Sequence, residues 1–158
     1  MSRRVEDLDP KMQSLAAEFL RLAWAAGLPV VITQTRRSAE EQGALYAQGR
    51  TTPGRIVTLA QADGSPHCAG LAVDVAFRCP SDAASASAPP HPSAPAVTWD
   101  EPRPGAWDEL GAIGISLGLV WGGQWRHFQD RPHFQLEDWR IVAKQQPGSR
   151  FTVQGSEV

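Results

Sequence analysis

The sequence has few cysteines, little net charge and no long apolar segment. Of its 158 residues only Cys68 and Cys79 are cysteine, and the formal net charge is −2. So small a charge argues against nucleic acid as the main partner, because phosphate binding requires a basic excess. No apolar run reaches membrane-spanning length, and the charged start Met1-Ser2-Arg3-Arg4 is unlike a signal peptide. We therefore expect synthesis in the cytoplasm without a signal peptide, and no stable membrane insertion.

The two cysteines are not expected to form a disulfide. They bracket a segment with the alternation of a strand. If that segment is extended, the two residues are roughly 30 Å apart or more at about 3.3 Å per residue, far beyond disulfide reach. We therefore predict free thiols.

The length of the chain favours one domain. A chain of 158 residues can bury one hydrophobic core. At about residues 80–104 the composition changes to alanine, serine and proline. Because such a tract buries little apolar surface, we interpret it as a flexible insertion in a single domain that spans residues 1–158.

The most informative stretch runs from Ser65 to Phe77. In its second half, apolar residues alternate with Ala72, Asp74 and Ala76, which is the period of a half-buried strand. A carboxylate in mid-strand is costly to bury unpaired, and small neighbours leave room beside it. A metal ion next to Asp74 would account for this pattern.

Two histidines can complete a metal site with this carboxylate. His67 precedes the strand in a turn that can direct its imidazole toward Asp74. The segment around His133 also alternates, with Phe134 and Leu136 predicted to face the core and His133 the other side. Two histidines and one carboxylate form a known ligand set for catalytic zinc, with a fourth position open for water.

Two rival ligands are less favoured. Cys68 would add a thiolate that closes the site and makes it structural, but side chains of neighbouring residues such as His67 and Cys68 usually diverge. His127 lies in a segment that gives it no strand face in common with His133.

The rest of the pattern predicts helices and strands in alternation. Helical spacing begins at Val5 and ends at Ala26 before Gly27, and Ser38 with Glu41 forms a capping box for a second helix. The other predicted elements are a strand at 30–33, a helix at 107–117, a strand at 119–121, a turn at 122–125 and a short helix after 137.

Arg36 and Arg37 fall between the first strand and the second helix, a common location for functional groups on a rigid scaffold. We interpret Arg36 as surface charge and Arg37 as a site residue. Trp125, beside the Gly122-Gly123 turn, is predicted at the rim of a cleft.

Three motifs resemble one peptidase family. The first is Ser65-x-His67-x-x-Gly70-x-Ala72-x-Asp74, the second is Asp130-Arg131-Pro132-His133-Phe134, and the third runs from Arg37 to Thr51. Together they resemble peptidase family M15, which contains zinc D-Ala-D-Ala carboxypeptidases and L-alanyl-D-glutamate endopeptidases, and above all its phage-endolysin branch. The chain departs from the family in its alanine-, serine- and proline-rich tract and in Gln124, where aspartate is expected.

The resemblance implies roles for particular residues. It implies zinc held by His67, Asp74 and His133, Asp130 as general base and Arg37 facing the substrate. This agrees with the chemistry, since a carboxylate must take a proton from the activated water. Asp130 would otherwise be a surface partner of Arg131.

Three further residues are candidates for substrate binding. Ser65 and Gln42 would orient the ligands or hold the substrate backbone, or would serve only as capping or loop hydrogen bonders. Trp125 would form the cleft rim.

The resemblance also implies fold and function. We expect an α+β domain with a small antiparallel sheet that carries the metal ligands and helices on one face, acting as a monomer on peptidoglycan stem peptides. The expected reaction is hydrolysis of the L-Ala-D-Glu bond at the cell wall, after release or export. The alternatives are a D-Ala-D-Ala carboxypeptidase and a non-catalytic zinc-containing binding module, as in the Hedgehog signalling domain.

Overall fold

The computed structural model describes residues 1–79 and 96–149. Within these ranges the helices are α1 (Pro10–Ala25), α2 (Ala39–Ala47), α3 (Ala106–Ser116) and α4 (Trp139–Gln145). The strands are β1 (Val30–Gln34), β2 (Ala72–Arg78), β3 (Val97–Thr98), β4 (Leu119–Trp121) and β5 (His133–Leu136). The prediction of an α+β fold with a small antiparallel sheet is confirmed.

The sheet is organised around β2. Its strand order is β1-β2-β5-β4, and β3 pairs with the end of β2 beyond β5. All pairings are antiparallel. Because β2 pairs with β1, β3 and β5, a side chain on β2 has neighbours from several distant parts of the sequence.

Helices cover one face of this sheet. Val73, Val75 and Phe77 are fully buried on that face, which confirms the predicted alternation. The Phe19 ring of α1 lies 4.6 Å from the Phe134 ring of β5, and the ring centroids of Phe77 and Trp107 are also 4.6 Å apart. The opposite face, with Asp74, is therefore left for a site.

The first helix begins later than predicted. Only a short 3-10 helix forms at Val5–Asp7, and α1 begins at Pro10 with Asp9 as its N-cap. Proline has no N–H to donate, so it fits the first turn of a helix and not its interior. The Asp9 side chain accepts a hydrogen bond from the Lys11 N–H at 3.0 Å.

The predicted flexible insertion is only partly within the described structure. Residues 80–95 lie outside the described ranges. The prediction was wrong for its end, because Val97 and Thr98 form β3 against Arg78 and Phe77. A strand of two residues gives too short a pattern to be recognised in a tract dominated by alanine, serine and proline.

The other predicted elements agree with the structure. The capping box of α2 is present: Ser38 Oγ accepts from the Glu41 N–H at 3.0 Å, and Glu41 Oε2 accepts from the Ser38 N–H at 2.9 Å. Cys68 and Cys79 are free thiols, as predicted. None of the helices in the described ranges has the length and hydropathy needed to cross a membrane.

Glycine allows α3 to approach the sheet closely. A Cβ at Gly114 would lie 2.6 Å from Cδ1 of Phe134, whereas a Cβ at Gly43 in α2 would meet no atom within 4 Å.

We expect Gly114→Ala to lower the free energy of unfolding by about 1–3 kcal/mol through overpacking. The matched variant Gly43→Ala is expected to raise it by about 0.5–1 kcal/mol. Urea denaturation measures both, and equal stabilities would contradict this packing.

Candidate metal centre

Three side chains converge on the uncovered face of the sheet. His67 Nε2 lies 3.2 Å from Asp74 Oδ1 and 3.2 Å from His133 Nδ1, and His133 Nδ1 lies 3.0 Å from Asp74 Oδ1. Both histidines are buried, at 4% and 5% exposure. The structure thus brings together the three residues that the sequence predicted, and their atoms are placed to hold a metal ion.

The sheet and one turn create this convergence. Asp74 on β2 and His133 on β5 are directly paired, so their side chains share a face. His67 comes from the turn before β2, in which its carbonyl accepts from the Gly70 N–H at 3.0 Å. Gly70 has φ +70°, and an added Cβ would lie 3.2 Å from the Asp7 carbonyl oxygen, so this turn requires glycine.

The remaining ring nitrogens determine which tautomers are present. His67 Nδ1 lies 2.7 Å from the Thr35 carbonyl oxygen, and His133 Nε2 lies 3.0 Å from Gln135 Oε1. Oxygens of this kind only accept hydrogen bonds, so these two nitrogens carry the protons. In the neutral imidazoles, His67 Nε2 and His133 Nδ1 then direct lone pairs at each other and at Asp74.

The electrostatics of the cluster favour a positive charge at its centre. Burial alone would raise the pKa of Asp74, but the charges and hydrogen bonds of His67 and His133 hold it well below its usual value. Burial alone would lower the pKa of His133, but its hydrogen bond to Asp74 and the Asp74 charge raise it. A proton or a metal ion would supply the charge.

Asp130 lies close to this cluster without being part of it. Its backbone N–H donates to the Gly122 carbonyl at 3.0 Å, and a Cβ at Gly122 would lie 2.5 Å from the Asp130 carbonyl oxygen. The Gly122-Gly123 turn therefore positions Asp130. Burial, followed by the charge of Asp74, raises the pKa of the Asp130 carboxyl. The rival role as partner of Arg131 is not seen, since Arg131 pairs with Glu101 at 3.3 Å.

Arg37 is buried beside the cluster in a polar network. Its Nη1 donates to Gln42 Oε1 and its Nη2 to Gln34 Oε1, each at 2.6 Å. Ser65 Oγ also donates to Gln42 Oε1 at 3.1 Å. The guanidinium lies 3.9 Å from Asp74 Oδ2. Gln42 is fully buried, so it positions Arg37 and has no surface from which to contact a substrate.

A bulge in β1 places Gln34 in this network. Val30 to Ile32 pair regularly with β2, but the register shifts before Gln34, which pairs with Asp74. Without the shift Gln34 would lie opposite Val73, on the core face. Sequence analysis did not identify Gln34, because nothing in the local pattern indicates the bulge.

The other residues that the sequence analysis discussed lie outside the cluster. The Trp125 ring centroid is 5.2 Å from that of His133, at the wall of the groove. Cys68 is outside the cluster and its Sγ contacts the Ser38 carbonyl at 3.8 Å. His127, Arg36 and Gln124 are exposed.

Two cavities meet at the cluster. The first cavity, about 490 Å³, is lined by residues that include Arg37, Ser65, Trp125 and Arg140. The second cavity, about 570 Å³, lies along β1 and β3. Gln34, Asp74 and Asp130 line both. The groove therefore continues in two directions from Asp74, and His67 and His133 line its first cavity.

Several residues of the groove were missed by sequence analysis. Gln135 follows His133 by two residues on the same strand face, so the period of β5 could have identified it. Thr35 acts through its backbone carbonyl, which leaves no trace in the sequence. Trp139 and Arg140 reach the first cavity from α4 only through the tertiary fold.

Comparison with known proteins agrees with this geometry. A sequence profile described as D-alanyl-D-alanine carboxypeptidase, of peptidase family M15, matches residues 58–136. The peptidoglycan L-alanyl-D-glutamate endopeptidase CwlK of Bacillus subtilis (strain 168) is 35% identical over 136 residues, which cover 82% of this chain and 74% of CwlK.

A solved structure is similar as well. The L-Ala D-Glu endopeptidase ChiX of Serratia marcescens superposes with a TM-score of 0.53 at 22% identity, over 84% of this chain and 82% of that one. This likeness concerns the fold. The sequence profile and the similarity to CwlK show that the chain belongs to peptidase family M15.

Proposed function

We propose that this protein is a zinc peptidase of the cell wall that hydrolyses the L-Ala-D-Glu bond of peptidoglycan stem peptides. The observation that carries the proposal is the convergence of His67, Asp74 and His133 in a groove whose two cavities share Asp74. The names of two similar proteins, both L-Ala-D-Glu endopeptidases, support the choice of bond.

The donor set fits zinc. Two neutral imidazole nitrogens and one carboxylate oxygen are common zinc ligands, and the open fourth position is that of a catalytic site. Ligand atoms at about 2.0–2.1 Å from a tetrahedral zinc ion are roughly 3.3 Å from one another. The observed separations of 3.0–3.2 Å are close to this value. His67, Asp74 and His133 would therefore hold the ion without rearrangement.

Asp130 is the general base of the proposed reaction. A zinc ion at this site would lower the pKa of a water molecule and polarise the scissile carbonyl. Hydrolysis joins the water oxygen to the carbonyl carbon of L-Ala and breaks the C–N bond to D-Glu. The Asp130 carboxylate accepts a proton from the water and returns one to the departing amine. Its pKa, raised by burial and by Asp74, makes it a stronger base than an exposed aspartate.

Arg37 stabilises negative charge during this reaction. Gln42 and Gln34 each use one donor of its guanidinium, which leaves other N–H groups for an oxyanion or a substrate carboxylate. A donor that is already oriented needs no rearrangement when charge develops in the transition state. Gln42, a sequence candidate for substrate binding, thus positions Arg37.

The shape of the groove favours an endopeptidase. An internal peptide bond requires room for substrate on both sides of the metal, and the two cavities supply it. A carboxypeptidase requires one closed end next to the metal, where a basic residue meets the terminal carboxylate.

The metal site can be tested by measuring the zinc content of the protein. We expect about one zinc per wild-type chain and none in His133→Ala, because removal of one of three protein ligands leaves too few. Cys68→Ser should retain the metal, since Cys68 lies outside the cluster. Elemental analysis of dialysed protein measures this, and zinc loss in Cys68→Ser would show that the thiol is a ligand.

The general base can be tested with an isosteric variant. We expect Asp130→Asn to retain zinc and to lose about 10²- to 10⁴-fold in kcat/KM, because the amide cannot accept the proton. Asp63→Asn, at an exposed aspartate, is the matched control and should cleave like the wild type. Mass spectrometry of digested peptidoglycan identifies the bond that is cut.

Two outcomes of that digestion would contradict the proposal. Release of free D-Ala without internal cleavage would show a carboxypeptidase. Zinc binding without cleavage of any wall peptide by the wild type would favour a binding module.

The network around Arg37 can be tested through Gln42. We expect Gln42→Ala to lower the free energy of unfolding by about 1–3 kcal/mol, because buried partners lose their hydrogen bonds, and to lower kcat/KM as Arg37 loses its support. Gln61→Ala, at an exposed glutamine, is the matched control and should change neither. Urea denaturation and peptide cleavage measure the two effects, and wild-type kcat/KM in Gln42→Ala would contradict the positioning role.

A further inference from the structure

The second cavity has a different chemical character from the first. Its apolar wall comes from Val31, Ile32, Val97, Trp99 and Pro132, and its basic group is Arg3. The first cavity contains two arginines, Arg37 and Arg140, and its aromatic residues Trp125, Phe128 and Trp139 are half-buried or buried. The two halves of the groove are therefore suited to different parts of a substrate.

Trp99 presents an exposed indole in the second cavity. It is 55% exposed, although large aromatic side chains are generally well buried. Its position is fixed through the backbone: the Trp99 carbonyl accepts from the Trp107 indole N–H at 3.2 Å, and the preceding Thr98 pairs with Phe77. An exposed aromatic ring on a well-anchored backbone is a typical binding surface.

Arg3 lies in the same cavity. The backbone of Ser2 accepts from the Thr35 N–H at 2.9 Å and donates to the Arg36 carbonyl at 3.2 Å, so this segment runs beside the end of β1. In the described part of the chain, Arg3 has no ion pair. Its guanidinium donors are therefore available for a ligand in the cavity.

The chemical groups on the two sides of the L-Ala-D-Glu bond differ, and each side suits one of the two cavities. On the D-Glu side the first group is a carboxylate, because the chain continues from the side-chain carboxyl of D-Glu. On the L-Ala side a single residue separates the bond from N-acetylmuramic acid. A pyranose ring combines a face of C–H groups with a rim of hydroxyl and acetamide groups, which matches a cavity lined by an indole and a guanidinium.

We propose that the second cavity binds the N-acetylmuramic acid that precedes L-Ala, with Trp99 stacked on the sugar ring and Arg3 hydrogen-bonded to its oxygens. This inference rests on the proposed function. It assigns the D-Glu carboxylate to the first cavity, with Arg37 and Arg140, and so sets the direction of the substrate in the groove. A stem peptide that carries its sugar is then a better substrate than the free peptide.

The test compares two substrates that differ only in the sugar: a free stem peptide and the same peptide on N-acetylmuramic acid. We expect the wild type to cleave the second with the higher kcat/KM. Trp99→Ala should remove this preference, lowering the ratio of the two kcat/KM values by up to about tenfold, because the sugar loses one aromatic contact. Trp99→Tyr should restore much of the preference, since the aromatic face remains.

Ile141→Ala provides the matched control. Ile141 is 61% exposed on α4 and lines neither cavity, so its removal should leave both substrates unaffected. Loss of activity on both substrates in Trp99→Ala, or an unchanged preference, would overturn the proposal.

A binding measurement separates this proposal from the proposed function. Peptide-free N-acetylglucosaminyl-N-acetylmuramic acid is titrated into wild type, Trp99→Ala and Arg3→Gln, and binding is followed by NMR. Binding that both substitutions weaken supports the sugar site even if the wild type cleaves no peptide. If the wild type cleaves the peptides but neither binds this disaccharide nor prefers the sugar-linked substrate, the sugar site is wrong and the peptidase proposal stands.

Discussion

Three potential ligand atoms, His67 Nε2, His133 Nδ1 and Asp74 Oδ1, face one another at distances of 3.0–3.2 Å. Thr35 and Gln135 hold the ring protons of the two histidines on the outer side, so the inner nitrogens direct lone pairs at the Asp74 carboxylate. Such an arrangement is repulsive unless a cation lies at its centre. The turn at His67 and the pairing of β2 with β5 both maintain this arrangement.

The remainder of the site depends on the same scaffold. Asp130 is held by its backbone bond to Gly122, and Arg37 is held by Gln42 and Gln34. Each group thus has a defined position relative to Asp74 in the structure itself. Preorganisation of this kind lets charged groups stabilise a transition state without reorganisation during the reaction.

The division of the sheet into two faces makes room for the groove. On one face α1 and α3 pack against Phe134 and Phe77 and form the core. On the other face two cavities meet at Asp74. The two arginines of the first cavity and the exposed Trp99 indole of the second give the groove a direction, which matters for a substrate whose two ends differ.

The sequence by itself identified the three residues of the candidate metal cluster, the strand around Asp74 and the capping box of α2. These features are local. The alternation within each strand indicates the face on which its Asp74 or His133 lies, and a capping box needs residues only three positions apart. The three motifs around His67, around Asp130 and from Arg37 to Thr51 together also indicated the peptidase family.

Only the tertiary structure decided how Arg37 is held, where Gln34 lies and how the groove continues past the metal centre. The bulge in β1 depends on its pairing with β2, and a register shift of one residue moves a side chain to the other face. Gln42 meets Arg37 and Ser65 through folding. Arg3 and Trp99 are far apart in sequence and share a cavity only because the N-terminal segment and β3 lie near one end of the groove. Contacts of this kind join distant parts of the chain, so no local pattern records them.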